Sequence, residues 1–218
     1  MNQKTLFVVA LTFLLIAFSG GAYFYSAQQE KAAGQLATAN RSALVRLHSP
    51  ALGKVEAPVV IVEFFDPACE TCRDFYPRVK AILQANPEQI RLVLRYAPFH
   101  NGSDKVVGLL EAARLQGKFW PVLEAILAAQ PDWVANHTAQ VDRVWKHLDG
   151  LGLNMEQMAF DLTSPEIAKV IAQDLADAKT LNVTMTPEYF VNGKPLPSFG
   201  FEQLQRLIDD ELQATRRR

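Results

Sequence analysis

Cysteine is scarce in this chain, and its charge is nearly balanced. Two cysteines among 218 residues are too few for a framework of several disulfides. A formal net charge of −1 gives no broad electrostatic field that would attract nucleic acid. The four histidines are scattered, without the spacing of metal ligands. We therefore expect no nucleic-acid partner and no metal site, and the chemistry must centre on the two cysteines.

The two cysteines, Cys69 and Cys72, stand two residues apart. They follow the apolar, β-branched run 59–62, which predicts a buried strand, and precede a helical repeat of apolar residues that continues to Gln84. Cys69 is thus expected at a helix N-terminus, where unpaired N–H groups and the helix dipole favour a thiolate. A disulfide across so short a spacing would stabilise the fold little, so we infer that the pair serves chemistry.

An apolar segment opens the chain at residues 1–25. Lys4 is the only charge before the apolar run 6–18, which continues weakly to Tyr25. Both a cleaved signal peptide and an uncleaved transmembrane anchor fit this pattern. The anchor is favoured because the aromatic cluster 23–25 suits a membrane interface. Lys4 predicts that the N-terminus stays inside and that the rest is exported to the periplasm or another extracytoplasmic space, where a disulfide can persist.

The remaining pattern predicts a linker at 26–43 and one domain at 44–215. A short strand is predicted at 44–47, and a second strand at 90–96 follows the cysteine helix, as in a parallel strand–helix–strand unit. From about 103 to 181 only helices are predicted, with Ser103 as the first cap. A strand at 188–191, the hairpin signal Asn192-Gly193 and a final helix complete the domain.

Features that lie far apart in the sequence belong together in one family pattern. They are the acid–aromatic–aromatic run 63–65, the C-x-x-C pair, Pro77 five residues after Cys72, Thr186-Pro187 before a strand, and the hairpin at 192–194. Over residues 44–212 the chain resembles the DsbA-like branch of the thioredoxin superfamily. The resemblance implies an α/β thioredoxin fold with an inserted all-helical subdomain. It also implies a protein thiol–disulfide oxidoreductase whose redox centre is its own disulfide, without a separate cofactor.

The resemblance assigns roles to individual residues. Cys69 is the expected nucleophile, exposed at the helix start, and Cys72 is the more buried resolving sulfur. Glu63 would relay a proton to Cys72, although a glutamate on this strand could instead face away from the sheet. A cis peptide at Pro187 would bring the backbone of Thr186 close to Cys69, where it can pair with an extended substrate.

The pair between the cysteines, Glu70-Thr71, is expected to tune the redox potential. A carboxylate beside Cys69 disfavours its thiolate. We therefore expect the pKa of Cys69 to lie below that of a free cysteine, but not as low as in the strongest oxidants. Thr186 resembles the residue found here in isomerase and reductase branches. Disulfide formation is the favoured activity, and isomerisation or reduction is the alternative.

Partners follow from this chemistry. Cysteine-containing exported proteins are the expected substrates, and a membrane partner of the DsbB type is the expected oxidant. A different class of function also remains open at this point, a chaperone or metal-binding module that uses the fold without turnover. Zinc or copper on the two cysteines would then need two further ligands from the histidines.

Overall fold

A computed structural model describes residues 12, 18–21, 23–29, 31, 34 and 41–217. The described residues before 41 are helical. Most of the predicted anchor or signal segment 1–25, and half of the linker 26–43, lie outside the described residues. Within the described part of the chain, no helix is both long and apolar enough to cross a membrane.

Nine α-helices and seven short or medium strands follow one another between residues 41 and 217. The helices are α1 Arg41–Leu44, α2 Glu70–Ala85, α3 Ser103–Leu115, α4 Phe119–Ala128, α5 Gln130–Trp133, α6 Val141–Val144, α7 Met155–Asp161, α8 Pro165–Thr180 and α9 Phe201–Arg216. The strands are β1 Ala51–Leu52, β2 Val59–Phe65, β3 Ile90–Tyr96, β4 Val134–Ala135, β5 Thr138–Ala139, β6 Glu188–Val191 and β7 Lys194–Pro195. A 3₁₀ turn, Trp145–His147, follows α6.

The main sheet has five strands in the order β1-β3-β2-β6-β7. β2 and β3 are parallel, with Val62 opposite Val93, and α2 connects them as predicted. The other neighbouring pairs are antiparallel. In the pairing of β2 with β6, Glu63 lies opposite Tyr189. The strand that carries Glu63 therefore lies at the centre of the sheet, with its C-terminal end next to the cysteines.

The two faces of the sheet bury different cores, because side chains alternate along each strand. Ile61 and Phe65 of β2 face a large core built with α2, α9 and the helices between residues 103 and 180. Val62 and Phe64 face a smaller core that includes Leu44 of α1 and Ala178 of α8. Glu63 shares the face of Ile61 and Phe65, which is the face that α2 covers.

Three local predictions are wrong. Residues 44–47 form no strand, since α1 ends at Leu44 and the exposed Leu47 follows in a turn. The inserted region is not entirely helical, because β4 and β5 pair as a small hairpin within it. Ser103 is the first residue of α3 rather than its cap, and Gly102 precedes it with a φ of 76°.

Candidate active site

The sulfur of Cys69 caps the N-terminus of α2. Its backbone is extended, and its Sγ accepts a hydrogen bond from the backbone N–H of Cys72 at 3.4 Å. The thiol also lies 3.3 Å from the carbonyl oxygen of Thr186, to which it can donate. A capping atom at this position receives the partial positive charge of the helix terminus. Cys69 is therefore held where an anionic sulfur is favoured.

The surroundings of Cys69 lower its pKa to about 6. The largest influence is a hydrogen bond from the Cys72 side chain, and the Cys72 and Thr71 backbones and the Thr186 side chain act in the same direction. Burial opposes them, because Cys69 is only 5% exposed. The expected lowered pKa is thus present in the structure. The prediction that Cys69 is exposed is wrong.

Cys72 lies deeper than Cys69, with 1% of its surface exposed. Burial raises its pKa well above the usual value, and the neighbouring Cys69 and Glu63 add to the rise. Both cysteines are free thiols. The two thiols therefore differ in acidity. The outer thiol, Cys69, readily forms a thiolate, and the inner thiol, Cys72, keeps its proton.

Glu63 is buried at 2% exposure, so its side chain does not face solvent. Burial raises its pKa to about 8, and the charge of Cys69 raises it further. The neighbouring Tyr189 hydroxyl partly offsets this rise, yet it makes no hydrogen bond of normal geometry with the carboxyl. Oε2 of Glu63 has no hydrogen-bond partner among the described residues. A buried carboxyl with one unpaired oxygen, close enough to Cys72 to shift the pKa of that thiol, is suited to exchange a proton with it.

The peptide bond between Thr186 and Pro187 is cis. This loop precedes β6 and brings the Thr186 carbonyl to the Cys69 sulfur, as expected. Met185, just before it, is 54% exposed. An exposed apolar side chain beside backbone groups near the sulfur can receive an extended peptide.

Asp66 is a residue whose importance sequence reasoning missed. It is fully buried directly after β2 and accepts hydrogen bonds from the backbone N–H groups of Ala68 and His100, each at 2.8 Å. The His100 ring and the Ser103 hydroxyl also bond to its carboxylate. Asp66 thus holds the loop before Cys69 against the start of α3. The sequence signal was only an Asp-Pro after a strand, which is typical of any turn.

Gln130 is a second residue that sequence reasoning missed, because Gln130-Pro131 indicates only the end of a helix. Its side chain is fully buried, and its amide donates to the carbonyl oxygens of Pro67 at 2.8 Å and Cys69 at 3.0 Å. These bonds tie the inserted region to the active-site turn. Because the partners lie more than sixty residues away in sequence, no local pattern reveals them.

A possible metal site contrasts with the expectation of none. Glu70, His100 and His137 each place one potential ligand atom within 4.8 Å of the other two. Glu70 lies in the motif itself, whereas the two histidines come from the loop after β3 and the turn between β4 and β5.

Comparison with known proteins decides the family. A family model described as thioredoxin matches residues 46–210. The chain belongs to the thioredoxin family. A probable disulfide bond formation protein D of Bacillus anthracis is 30% identical over 173 residues, which are 74% of this chain and 77% of that protein. The DsbA-like resemblance is thereby confirmed.

Solved structures agree with this thioredoxin-family assignment. A thioredoxin-like oxidoreductase from Silicibacter pomeroyi DSS-3 superposes with a TM-score of 0.68 at 31% identity, covering 82% of this chain and 98% of that one. The thiol-disulfide exchange protein alpha-DsbA2 of Wolbachia pipientis has a TM-score of 0.70 at 15% identity, covering 84% and 97%, and shares the fold.

Other relatives are much longer proteins. A Na(+)/H(+) antiporter NhaA of Herminiimonas arsenicoxydans is 28% identical over 144 residues, which are 66% of this chain and 22% of the antiporter. The chain therefore spans about a fifth of the length of these curated relatives. For this thioredoxin-family chain, fold and site geometry together support thiol–disulfide exchange as the chemistry.

Proposed function

We propose that this protein is an exported thiol–disulfide oxidoreductase that forms disulfides in cysteine-containing proteins. The observation that carries the proposal is the position of the Cys69 sulfur. It receives the Cys72 N–H at the start of α2 and lies 3.3 Å from the Thr186 carbonyl oxygen. A nucleophilic sulfur and a backbone edge for an extended substrate are thus side by side.

The reaction begins from the disulfide between Cys69 and Cys72. A substrate thiolate attacks Sγ of Cys69, a mixed disulfide forms, and the sulfur of Cys72 leaves with the electron pair of the broken bond. A second substrate thiolate then attacks the substrate sulfur of the mixed disulfide. The substrate leaves oxidised, and Cys69 leaves as a thiolate that its hydrogen bonds stabilise.

Glu63 supplies the proton for the leaving sulfur. Since burial raises the pKa of Glu63 to about 8, the carboxyl holds a proton at neutral pH. It gives this proton to Cys72, whose raised pKa makes it the better proton holder once the disulfide opens. In the reverse direction Glu63 takes the proton back.

The direction of disulfide formation is supported by the donors around Cys69. Donors that stabilise the reduced thiolate make a disulfide more oxidising, and DsbA at about −120 mV is the extreme of this effect. Glu70, beside Cys69, opposes it. The proposed potential therefore lies between that value and the roughly −270 mV of thioredoxin.

Location and partner complete the proposal. Lys4 and the apolar run 6–18 support export, with segment 1–25 as an inner-membrane anchor or a cleaved signal. A membrane protein of the DsbB type would reoxidise the cysteines after each turnover.

Two assays test the function. The purified protein should catalyse reduction of insulin by dithiothreitol, and in its oxidised form it should introduce disulfides into a reduced, unfolded substrate. Cys69→Ser should abolish both activities, while Asp209→Ala, at an exposed position of α9, should not. Rescue of a scrambled substrate without net oxidation would instead establish an isomerase, and absence of all exchange would overturn the proposal.

A further inference from the structure

Two histidines and a glutamate from three separate segments meet beside the C-x-x-C motif. Oε2 of Glu70 and Nδ1 of His137 are 3.7 Å apart, and the ring centres of His100 and His137 are 5.8 Å apart. One ligand atom from each residue lies within 4.8 Å of the others. We propose that Glu70, His100 and His137 bind a divalent transition metal of the zinc class.

His100 is already oriented as a metal ligand. Its Nδ1 bonds to Oδ2 of Asp66 at 2.7 Å, and its backbone N–H donates to the same oxygen at 2.8 Å. Asp66 is itself immobile, because it is fully buried and bonded to Ala68 and Ser103. Histidines that bind metals commonly pair their second nitrogen with a carboxylate in this way, which fixes the ring and its tautomer. Nε2 is then the nitrogen available to the metal.

The donor set selects the class of metal. Two imidazoles and one carboxylate suit zinc, copper, nickel and iron, whereas calcium and magnesium prefer sites made of oxygen atoms alone. Three protein ligands of this kind hold zinc in open sites, where water takes the fourth position. Zinc is the redox-inert member of the group and is the ion to test first.

The side chains must move inward by a small amount to bind the ion. Ligand atoms around a tetrahedral zinc lie about 3.3 Å apart for bond lengths of about 2.0–2.1 Å. The Glu70–His137 pair, at 3.7 Å, is nearly at that spacing. The side chains of Glu70 and His137 are 46% and 76% exposed, so each has room to change its rotamer and approach the fixed His100.

The backbone already holds together two of the three segments, those that carry His100 and His137. The N–H of Ala139 in β5 donates to the carbonyl oxygen of Asn101 at 2.9 Å, and this bond holds the β4–β5 turn beside the His100 loop. A bound ion would add a second link, from this turn to the first residue of α2. The site uses no sulfur, so zinc binding does not require the proposed exchange reaction.

Zinc binding is tested on the Cys69→Ser/Cys72→Ser protein, in which sulfur ligands are absent. Isothermal titration with zinc chloride should show one equivalent bound, and Co²⁺ should give the visible absorption of a site with nitrogen and oxygen ligands. His137→Ala and Glu70→Gln should each weaken zinc binding at least about 10-fold, as loss of even an outer-shell partner does. His147→Ala is the matched control, because His147 pairs with Asp132 outside the cluster. This variant should bind zinc with unchanged affinity.

Three outcomes would overturn the proposal. They are no saturable zinc binding by the cysteine-free protein, binding that both His137→Ala and Glu70→Gln leave intact, and an equal loss in His147→Ala. Insulin reduction by the wild-type protein is measured separately, so failure of the metal site leaves the exchange activity assessed on its own.

Discussion

The central sheet has a buried ionisable group on each face, and the two groups differ in how completely they are hydrogen-bonded. On the face covered by α2, one carboxyl oxygen of Glu63 finds no hydrogen-bond partner in the described part of the chain. On the opposite face, Arg95 of β3 is fully buried near the Phe64 ring and donates to Asp174 and Asp177 of α8. Glu63 and Arg95 are thus buried to a similar extent, but Glu63 has an unpaired oxygen whereas Arg95 is bonded to two carboxylates.

The network around Arg95 satisfies its members. Asp174 accepts from Arg95 at 2.7 Å, from the backbone of Tyr96 at 2.8 Å, and bonds to His48 at 2.7 Å. Burial alone would raise the pKa of Asp177, but hydrogen bonds from Arg46 and Arg95 outweigh it and hold that pKa below its usual value. Such a network orders α1, β3 and α8 relative to one another.

The difference in bonding suggests different roles for the two groups, a structural role for the Arg95 network and a chemical role for Glu63. A buried charge whose bonds are all made is costly to disturb and has no reason to exchange its proton. A buried carboxyl with an unmet bond, next to a thiol, is costly to keep and can exchange its proton readily. Four changes test this contrast.

The largest effect is expected from Asp174→Ala. Removing this carboxylate leaves Arg95 buried with one partner fewer, and loss of one partner from a buried ion pair costs about 3–5 kcal/mol. Urea unfolding should show that loss, while the exchange rate of the remaining folded protein stays near wild type. Asp209→Ala, at an exposed position of α9, is the control and should leave the unfolding midpoint unchanged. A shift for Asp174→Ala as small as that of the control would mean that the network is not structural.

Glu63→Gln should affect the other property, the exchange rate. Without a proton to give or take at Cys72, the rate of insulin reduction at pH 7 should fall about 100-fold, at the lower end of general acid–base effects. The folded state should persist, since Gln fills the same space.

Glu188→Gln provides the matched comparison for Glu63→Gln. Glu188 lies on the neighbouring strand, pairs with Phe64 on the opposite face, and also has a pKa raised by burial. Its replacement should leave the rate unchanged. Equal rates for all three proteins would remove Glu63 from the mechanism.

The pH dependence of stability should reveal the proton on Glu63. Its pKa is about 8 in the folded protein and about 4.3 in an unfolded chain. Between these values the folded state keeps a proton that the unfolded state has released. The free energy of unfolding therefore falls as pH rises through this window, by up to about 1.4 kcal/mol per pH unit, and levels off above pH 8.

The measurement compares Cys69→Ser/Cys72→Ser with and without Glu63→Gln by urea unfolding from pH 5 to pH 9. Removing the cysteines eliminates their own titration and keeps burial, the main cause of the raised pKa. If the two proteins gave parallel curves of unfolding free energy against pH, Glu63 would have the same pKa in the folded and the unfolded state, contrary to the prediction.

Sequence patterns predicted the parts of this site that depend on local order. The strand before Cys69, the helix after it and the cis Thr186–Pro187 bond follow from short motifs and the family resemblance, and the structure contains all three. The candidate active site could therefore be predicted from residues 59–77 and 186–187. The burial of Glu63 could be expected from its place in an apolar strand.

The supporting contacts could not be predicted in the same way. Asp66 and Gln130 act through partners 34 and 63 residues distant, so only the folded chain shows their roles. The His137 site depends on the β4–β5 hairpin, whose two-residue strands are too short for a periodic signal. Residues 44–47 predicted a strand, yet tertiary contacts placed Leu44 in the smaller core and left Leu47 exposed.

Arg46→Ala should have the smallest effect and locate the edge of the structural network. Arg46 donates two hydrogen bonds to Asp177, at 2.8 and 2.6 Å, but its side chain is 32% exposed. Arg95 also donates to Asp177, so the carboxylate keeps a cationic partner when Arg46 is removed. Ion pairs open to solvent contribute about 1 kcal/mol or less, and we expect a loss of that size in urea unfolding.

Lys169→Ala is the control for Arg46→Ala, since Lys169 pairs with Glu166 on the exposed side of α8. It should leave the unfolding midpoint unchanged. A loss for Arg46→Ala as large as that for Asp174→Ala would mean that exposure does not weaken this pair. The stability of the network would then depend on docking the segment after α1, through Arg46, rather than on the complete bonding of Arg95. That result would contradict the contrast between the two faces, because a partly exposed group would contribute as much stability as a buried one.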